Sequence, residues 1–168
     1  DKGDLEKATD LMLSVRPYYR YFHSSKYIND LANGDICVVI GWSGDIAQAA
    51  ARAEEADNGV SVQYIIPKEG ALMWFDMLAI PRDAKNPEGA MALMNFLMRP
   101  DITANITNYV WYANANPESM TMVDPEIAGD ESIFPPQEVM QKLWLPKVLD
   151  QRTTRTVTRA WNRIKTGQ

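Results

Sequence analysis

The residues of this chain best suited to chemistry are aromatic rings set beside carboxylates. Trp42 precedes Asp45 by three positions, Trp74 precedes Asp76 by two, and Tyr112 stands just before an Asn-rich turn. In a strand, residues 74 and 76 face the same side, so one ring and one carboxylate can address a single ligand. Aromatic faces attract cations through the ring quadrupole, and a carboxylate adds a charge-assisted hydrogen bond. Trp42, Asp45, Trp74, Asp76 and Tyr112 are therefore candidates for a cation-binding cleft. On the residues alone the competing reading is scattered core aromatics with a few solvated acids.

The elements that must position these groups are organised around Gly34 to Asp45. Ile36 to Ile40 is a run of five apolar residues bounded by glycines, which predicts a strand buried on both faces. Ser43 to Ala56 is Ala-rich and free of Pro, which predicts a helix. Trp42 and Asp45 then fall at the carboxyl edge of an α/β sheet, where open sheets bind ligands. Upstream, residues 4–15 carry apolar positions at helical spacing and Pro17 stops them. Residues 18–22 read as a short aromatic strand, and residues 26–32 as a helix with a Ser available to cap it, ended by Asn33-Gly34.

Downstream, Val60 to Ile66 alternates as a strand, Pro67 to Gly70 turns, and Leu72 to Ile80 reads as a second strand. Asp76 conflicts with the apolar run around it, and such conflicts tend to fall at functional sites. Helices follow over residues 88–98 and 102–109. Residues 118–136, rich in Pro, Asp and Ser, read as short turns. Residues 137–143 and 153–165 are expected to be helical, the latter with a solvated basic face. The alternation predicts an α/β fold.

Composition removes several classes. The formal net charge of −5 argues against a nucleic-acid partner, which needs a basic face. A lone Cys37 and a lone His23 cannot build a thiolate or multi-histidine metal site, so no metal or cofactor is expected, and Cys37 reads as a small core residue. The methionines from 77 to 98 read as core filling. With no apolar run of 18 residues, direct membrane insertion is not expected.

Several stretches, in order, resemble the periplasmic polyamine-binding proteins of bacterial spermidine/putrescine ABC transporters. They are Arg-Pro-Tyr-Tyr-Arg-Tyr-Phe-His-Ser-Ser, Leu-Ala-Asn-Gly-Asp before a strand ending Gly-Trp-Ser-Gly-Asp, Pro-Lys-Glu-Gly-Ala, Trp-Phe-Asp, Asn-Phe-Leu-Met-Arg-Pro-Asp and Tyr-Ala-Asn-Ala-Asn. The resemblance implies a bilobal, type II-like solute-binding protein with a mixed sheet and flanking helices, working in the periplasm. It implies a polyamine ligand, delivery to an inner-membrane ABC permease, and no catalysis. Ligand contacts carry over to Trp42, Asp45, Trp74, Asp76 and Tyr112, and to Ser24 in the His-Ser-Ser turn. Trp at position 74 implies a preference for spermidine over putrescine.

Family members are about twice as long, so the resemblance also implies an incomplete chain whose N-terminal half would supply the rest of the cleft. By family connectivity residues 1–58 would belong to the second lobe, 59–66 to a crossover, 67–109 to the first lobe and 110–168 mostly to the second. Two rivals remain on the residues: a protein of the same fold binding a sugar stacked on Trp42 and Trp74, and a hydrolase using Asp45 and Asp76 as paired carboxylates.

Overall fold

The computed structural model describes residues 2–168. In chain order the helices are α1 (Lys2–Val15), α2 (Tyr27–Ala32), α3 (Ser43–Ala56), α4 (Pro87–Leu97), α5 (Pro100–Val110), α6 (Pro125–Ala128), α7 (Gln137–Met140) and α8 (Gln151–Thr166), with 3-10 turns at Arg16–Tyr18 and Pro117–Met122. The long helices fall within a few residues of the sequence expectation, and their ends show why. Asn86 caps α4 by accepting the Gly89 N–H at 2.9 Å. Asp150 caps α8 by accepting the N–H groups of Arg152 and Thr153 at 2.8 and 2.9 Å, and Gly167 leaves that helix at φ 75°. The expected Ser cap on α2 is not made: Lys26 occupies the cap position without a side-chain cap bond.

The expected strands are the main correction. Among the described residues no ladder forms; the pairing present is an isolated parallel bridge between Leu72 and Trp144. Residues 38–42, 60–66 and 73–80 run without helix or ladder. Instead of being buried on both faces, Val38 and Ile40 are 87% and 92% exposed, and Cys37 is exposed rather than a core residue. A strand gains stability only from cross-strand neighbours, and these segments have none here to cover them. The apolar face of α4 is likewise uncovered, with Met91 and Phe96 exposed and no residue of that helix buried.

The chain divides into two compact units. One comprises the chain up to Ser24 together with Pro146–Gln168. There α1 packs on α8, Thr9 and Ile164 are buried, and the Arg16 guanidinium donates to the Lys165 carbonyl at 3.1 Å, satisfying a free C-terminal acceptor of α8. Residues 18–22 are not a strand: a 3-10 turn leads into them, and Phe22 meets Trp161 edge to face with centroids 5.1 Å apart. The arginines of α8 are exposed, so its basic face is solvated.

The other unit is Ser25–Leu145. Here α2 packs on α3, burying Tyr27, Leu31, Ile46, Ala49 and Ala53. Arg52 donates to the Asn29 side-chain oxygen at 2.6 Å, and Asn58 to the Ala32 carbonyl at 3.2 Å, which locks the pair. A second core forms from Ala104 of α5 with Val123, Ile127 and Ile133. The Pro-rich stretch expected to be loose turns is therefore a packed one, because its apolar residues close over α5.

Candidate ligand-binding site

Asp45 lies in the first turn of α3, where a carboxylate is favoured by the helix dipole. Both of its oxygens are held by phenols. The Tyr27 hydroxyl donates to Oδ2 at 2.7 Å and the Tyr112 hydroxyl to Oδ1 at 3.3 Å. A carboxylate offers about four acceptor positions, so these bonds orient Asp45 and leave capacity for a donor from a ligand.

The glycines of Gly-Trp-Ser-Gly-Asp are what admit the two rings. A methyl group at Gly41 would lie 2.8 Å from the Tyr27 ring. One at Gly44 would collide with the Tyr112 ring. Each glycine thus makes the close approach that brings one phenol onto the carboxylate.

Tyr112 is delivered by the end of α5. Trp111 turns the chain with φ 60°, its N–H bonding the Thr107 carbonyl at 2.9 Å. The Asn-rich turn then ties back: the Asn114 amide donates to the buried Thr107 hydroxyl at 2.9 Å, and Ser119 donates to the Asn116 carbonyl at 2.7 Å. These bonds satisfy buried polar groups and fix the chain on either side of position 112.

Trp74 completes the cluster. Its ring meets Trp42 edge to face at 4.7 Å and Tyr112 at 6.2 Å between centroids. Trp42 is 40% exposed and Asp76 is exposed, so part of the aromatic cluster and one carboxylate reach solvent. Asp76 and Tyr112 also line a cavity of about 400 Å³ with Gln48, Thr107, Val110 and Asn114. Burial pushes the Tyr112 phenol up to about 12, with the Asp45 charge adding to it and Asp76 contributing further. Burial also pushes Tyr27 well above the ordinary phenol range, again reinforced by Asp45. The local field is negative, which favours a cation and holds both phenols as donors.

Of the expected site residues, Trp42, Asp45, Trp74 and Tyr112 come together through direct contacts, and Asp76 joins them at the cavity. Ser24 ends the other unit, exposed in the bend before α2. Tyr27 was not singled out from the sequence. The signal available for it was the glycine directly before Trp42, which announces a close approach without saying by what.

Comparison with known proteins follows this geometry. The sequence pattern of the bacterial extracellular solute-binding protein family matches residues 1–135. The putrescine-binding periplasmic protein PotF of Escherichia coli (strain K12) is 53% identical over 161 residues, covering 96% of this chain and 44% of the relative. The putrescine-binding periplasmic protein SpuD of Pseudomonas aeruginosa (strain UCBPP-PA14) is 54% identical over 165 residues, covering 98% and 45%. A spermidine/putrescine-binding periplasmic protein of Escherichia coli is 32% identical over 141 residues, covering 84% and 39%. Among solved structures, a chain described as a spermidine/putrescine ABC transporter from Listeria monocytogenes superposes with a TM-score of 0.88 at 25% identity, covering all of this chain and 50% of that one. The chain thus spans about half the length of the proteins it resembles.

Proposed function

Because the chain belongs to the bacterial extracellular solute-binding proteins, we propose that it captures an aliphatic polyamine, putrescine before spermidine, and passes it to an ABC permease of the inner membrane. The observation that carries this reading is the Asp45 carboxylate, held by two phenols beside the Trp42 and Trp74 rings. An ammonium group finds there a charged acceptor and aromatic faces together. Asp76, exposed to solvent, is proposed to meet a second ammonium. In this reading Ser24 remains a further contact.

The preference drawn from Trp74 alone pointed to spermidine. The two relatives above half identity carry putrescine in their names, and that supports putrescine. The same names support a periplasmic location. Membership of a solute-binding family goes with capture rather than catalysis, against the paired-carboxylate hydrolase.

The solute-binding fold also gives the unpaired segments a role. Residues 36–40, 60–66 and 72–80 are proposed as strands of a mixed sheet whose neighbours lie in the part of the relatives that this chain does not span. The lobes would then be built from 1–58 and 110–168 on one side and 67–109 on the other, with 59–66 crossing between them.

Thermal unfolding with and without putrescine tests the function. Putrescine should raise the melting temperature and be recovered chemically unchanged. A melting temperature indifferent to every polyamine, or recovery of cleaved ligand, would overturn it.

A further inference from the structure

Tyr27 is 2% exposed, and its single proton goes to Asp45 Oδ2 at 2.7 Å. Its oxygen meanwhile accepts the Trp42 backbone N–H at 3.0 Å. That amide is at the cap position of α3 and belongs to the residue whose ring lines the site. One buried hydroxyl therefore joins the carboxylate to the backbone that carries the indole. Its one proton is committed and its oxygen is buried away from a ligand.

We propose that Tyr27 is the positioning residue of this site, fixing the Asp45 carboxylate and the Trp42 backbone as one rigid unit so that ammonium recognition depends on a side chain the ligand does not touch. The Gly41 contact follows from the same role. The ring can reach both partners only by lying against position 41, where any side chain would strike it. Of the two phenols on Asp45, Tyr27 makes the shorter bond, and it also accepts the amide of the residue that carries the indole. Without its hydroxyl, Asp45 keeps the longer Tyr112 bond and is free to rotate away, while the Trp42 N–H loses its acceptor. The binding energy of the ammonium then has to offset the ordering of both groups.

This role rests on the polyamine reading, and the test separates the two. In the intact protein, putrescine affinity is measured for Tyr27→Phe, Asp45→Asn and the double variant. Para-fluorophenylalanine at position 27, which fills the hydroxyl's space without a donor, keeps the test open if Tyr27→Phe does not fold. Para-aminophenylalanine restores a donor. Tyr27→Phe and the fluoro variant should weaken putrescine roughly tenfold, about what losing a hydrogen bond to a charged group costs. The amino variant should recover most of that loss, and in the Asp45→Asn background Tyr27→Phe should add little further. Amide exchange at Trp42 should also accelerate in Tyr27→Phe without ligand. Wild-type binding with undiminished affinity in the donorless variants, or losses that simply multiply, overturns the positioning role. Absence of putrescine binding by the unmodified protein overturns the functional reading, and this role with it.

Discussion

Trp42 and Trp74 meet edge to face with ring centroids 4.7 Å apart, though 31 residues separate them in the chain. One stands at the cap of α3 and the other in an extended segment with no ladder to hold it. The Met73 N–H donates to the Trp144 carbonyl at 2.9 Å just before Trp74, and beyond that tie the Trp42 and Tyr112 rings are what Trp74 packs against. Trp74→Ala should weaken putrescine by about 0.5–2 kcal/mol, the worth of a cation–π wall, and Trp74→Phe by less. Titration followed by tryptophan fluorescence measures both. Equal affinity in Trp74→Ala would take the indole out of the site.

Asp45 and Asp76 should separate under substitution. Asp76 is exposed, so Asp76→Ala should leave folding stability within about 0.5 kcal/mol of wild type, while removing the countercharge for one ammonium should abolish tight binding. Asp45→Asn keeps an acceptor for Tyr27 but loses the charge, and should weaken putrescine by about 2–5 kcal/mol. Calorimetry and melting curves on the same samples give both readings. Full-strength binding by Asp76→Ala would assign that carboxylate to the surface alone.

Gly44→Ala should damage fold and site together. The added methyl group meets the Tyr112 ring, and overpacking of this kind typically costs about 1–3 kcal/mol. Tyr112 must then leave Asp45. Gly44→Ala in a Tyr112→Ala background should cost much less stability than Gly44→Ala alone, because the ring it strikes is gone. Equal costs in the two backgrounds would contradict the contact.

Alkaline stability follows from the two phenols. Tyr27 and Tyr112 titrate above their ordinary value of 10.0 in the folded chain, Tyr112 at about 12. The folded state therefore holds protons that the unfolded chain releases. Their contribution is complete below pH 10 and falls as pH rises through about 12. Denaturant unfolding across that range should show a declining stability whose slope is shallower in Tyr112→Phe. A pH-independent midpoint would contradict the burial of both hydroxyls.

Cys37 reports on the proposed sheet. It is exposed and lies in the segment expected to pair. A thiol reagent should label it quickly in the 168-residue chain and slowly in a protein of the relatives' full length. Equally rapid labelling in both would mean that residues 36–40 stay uncovered.

Helix positions were legible because their signals are local. Ala-rich spacing, Pro17 and Gly167 act within a turn or two, and α3 begins and ends where the sequence placed it. Strands were expected from pattern and none forms among the described residues: a strand exists only through neighbours, and a single run such as Ile36 to Ile40 cannot supply its own. Residues 118–136 looked loose because turn residues dominate there, while the buried Val123, Ile127 and Ile133 are spaced too irregularly to show a period. Trp42, Asp45, Trp74, Asp76 and Tyr112 were singled out by type and family likeness, and the rings of Trp42, Trp74 and Tyr112 do lie together with Asp45. Tyr27 escaped because a Tyr opening a short helix has no local mark; its partner Asp45 comes 18 residues later.

Isothermal titration of the intact protein with putrescine asks whether these carboxylates and rings together bind a diamine. Binding should saturate at one putrescine per chain and weaken with rising salt, and Asp76→Ala should give no saturation under the same conditions. Absence of saturable heat for wild type, or identical isotherms for wild type and Asp76→Ala, would contradict it.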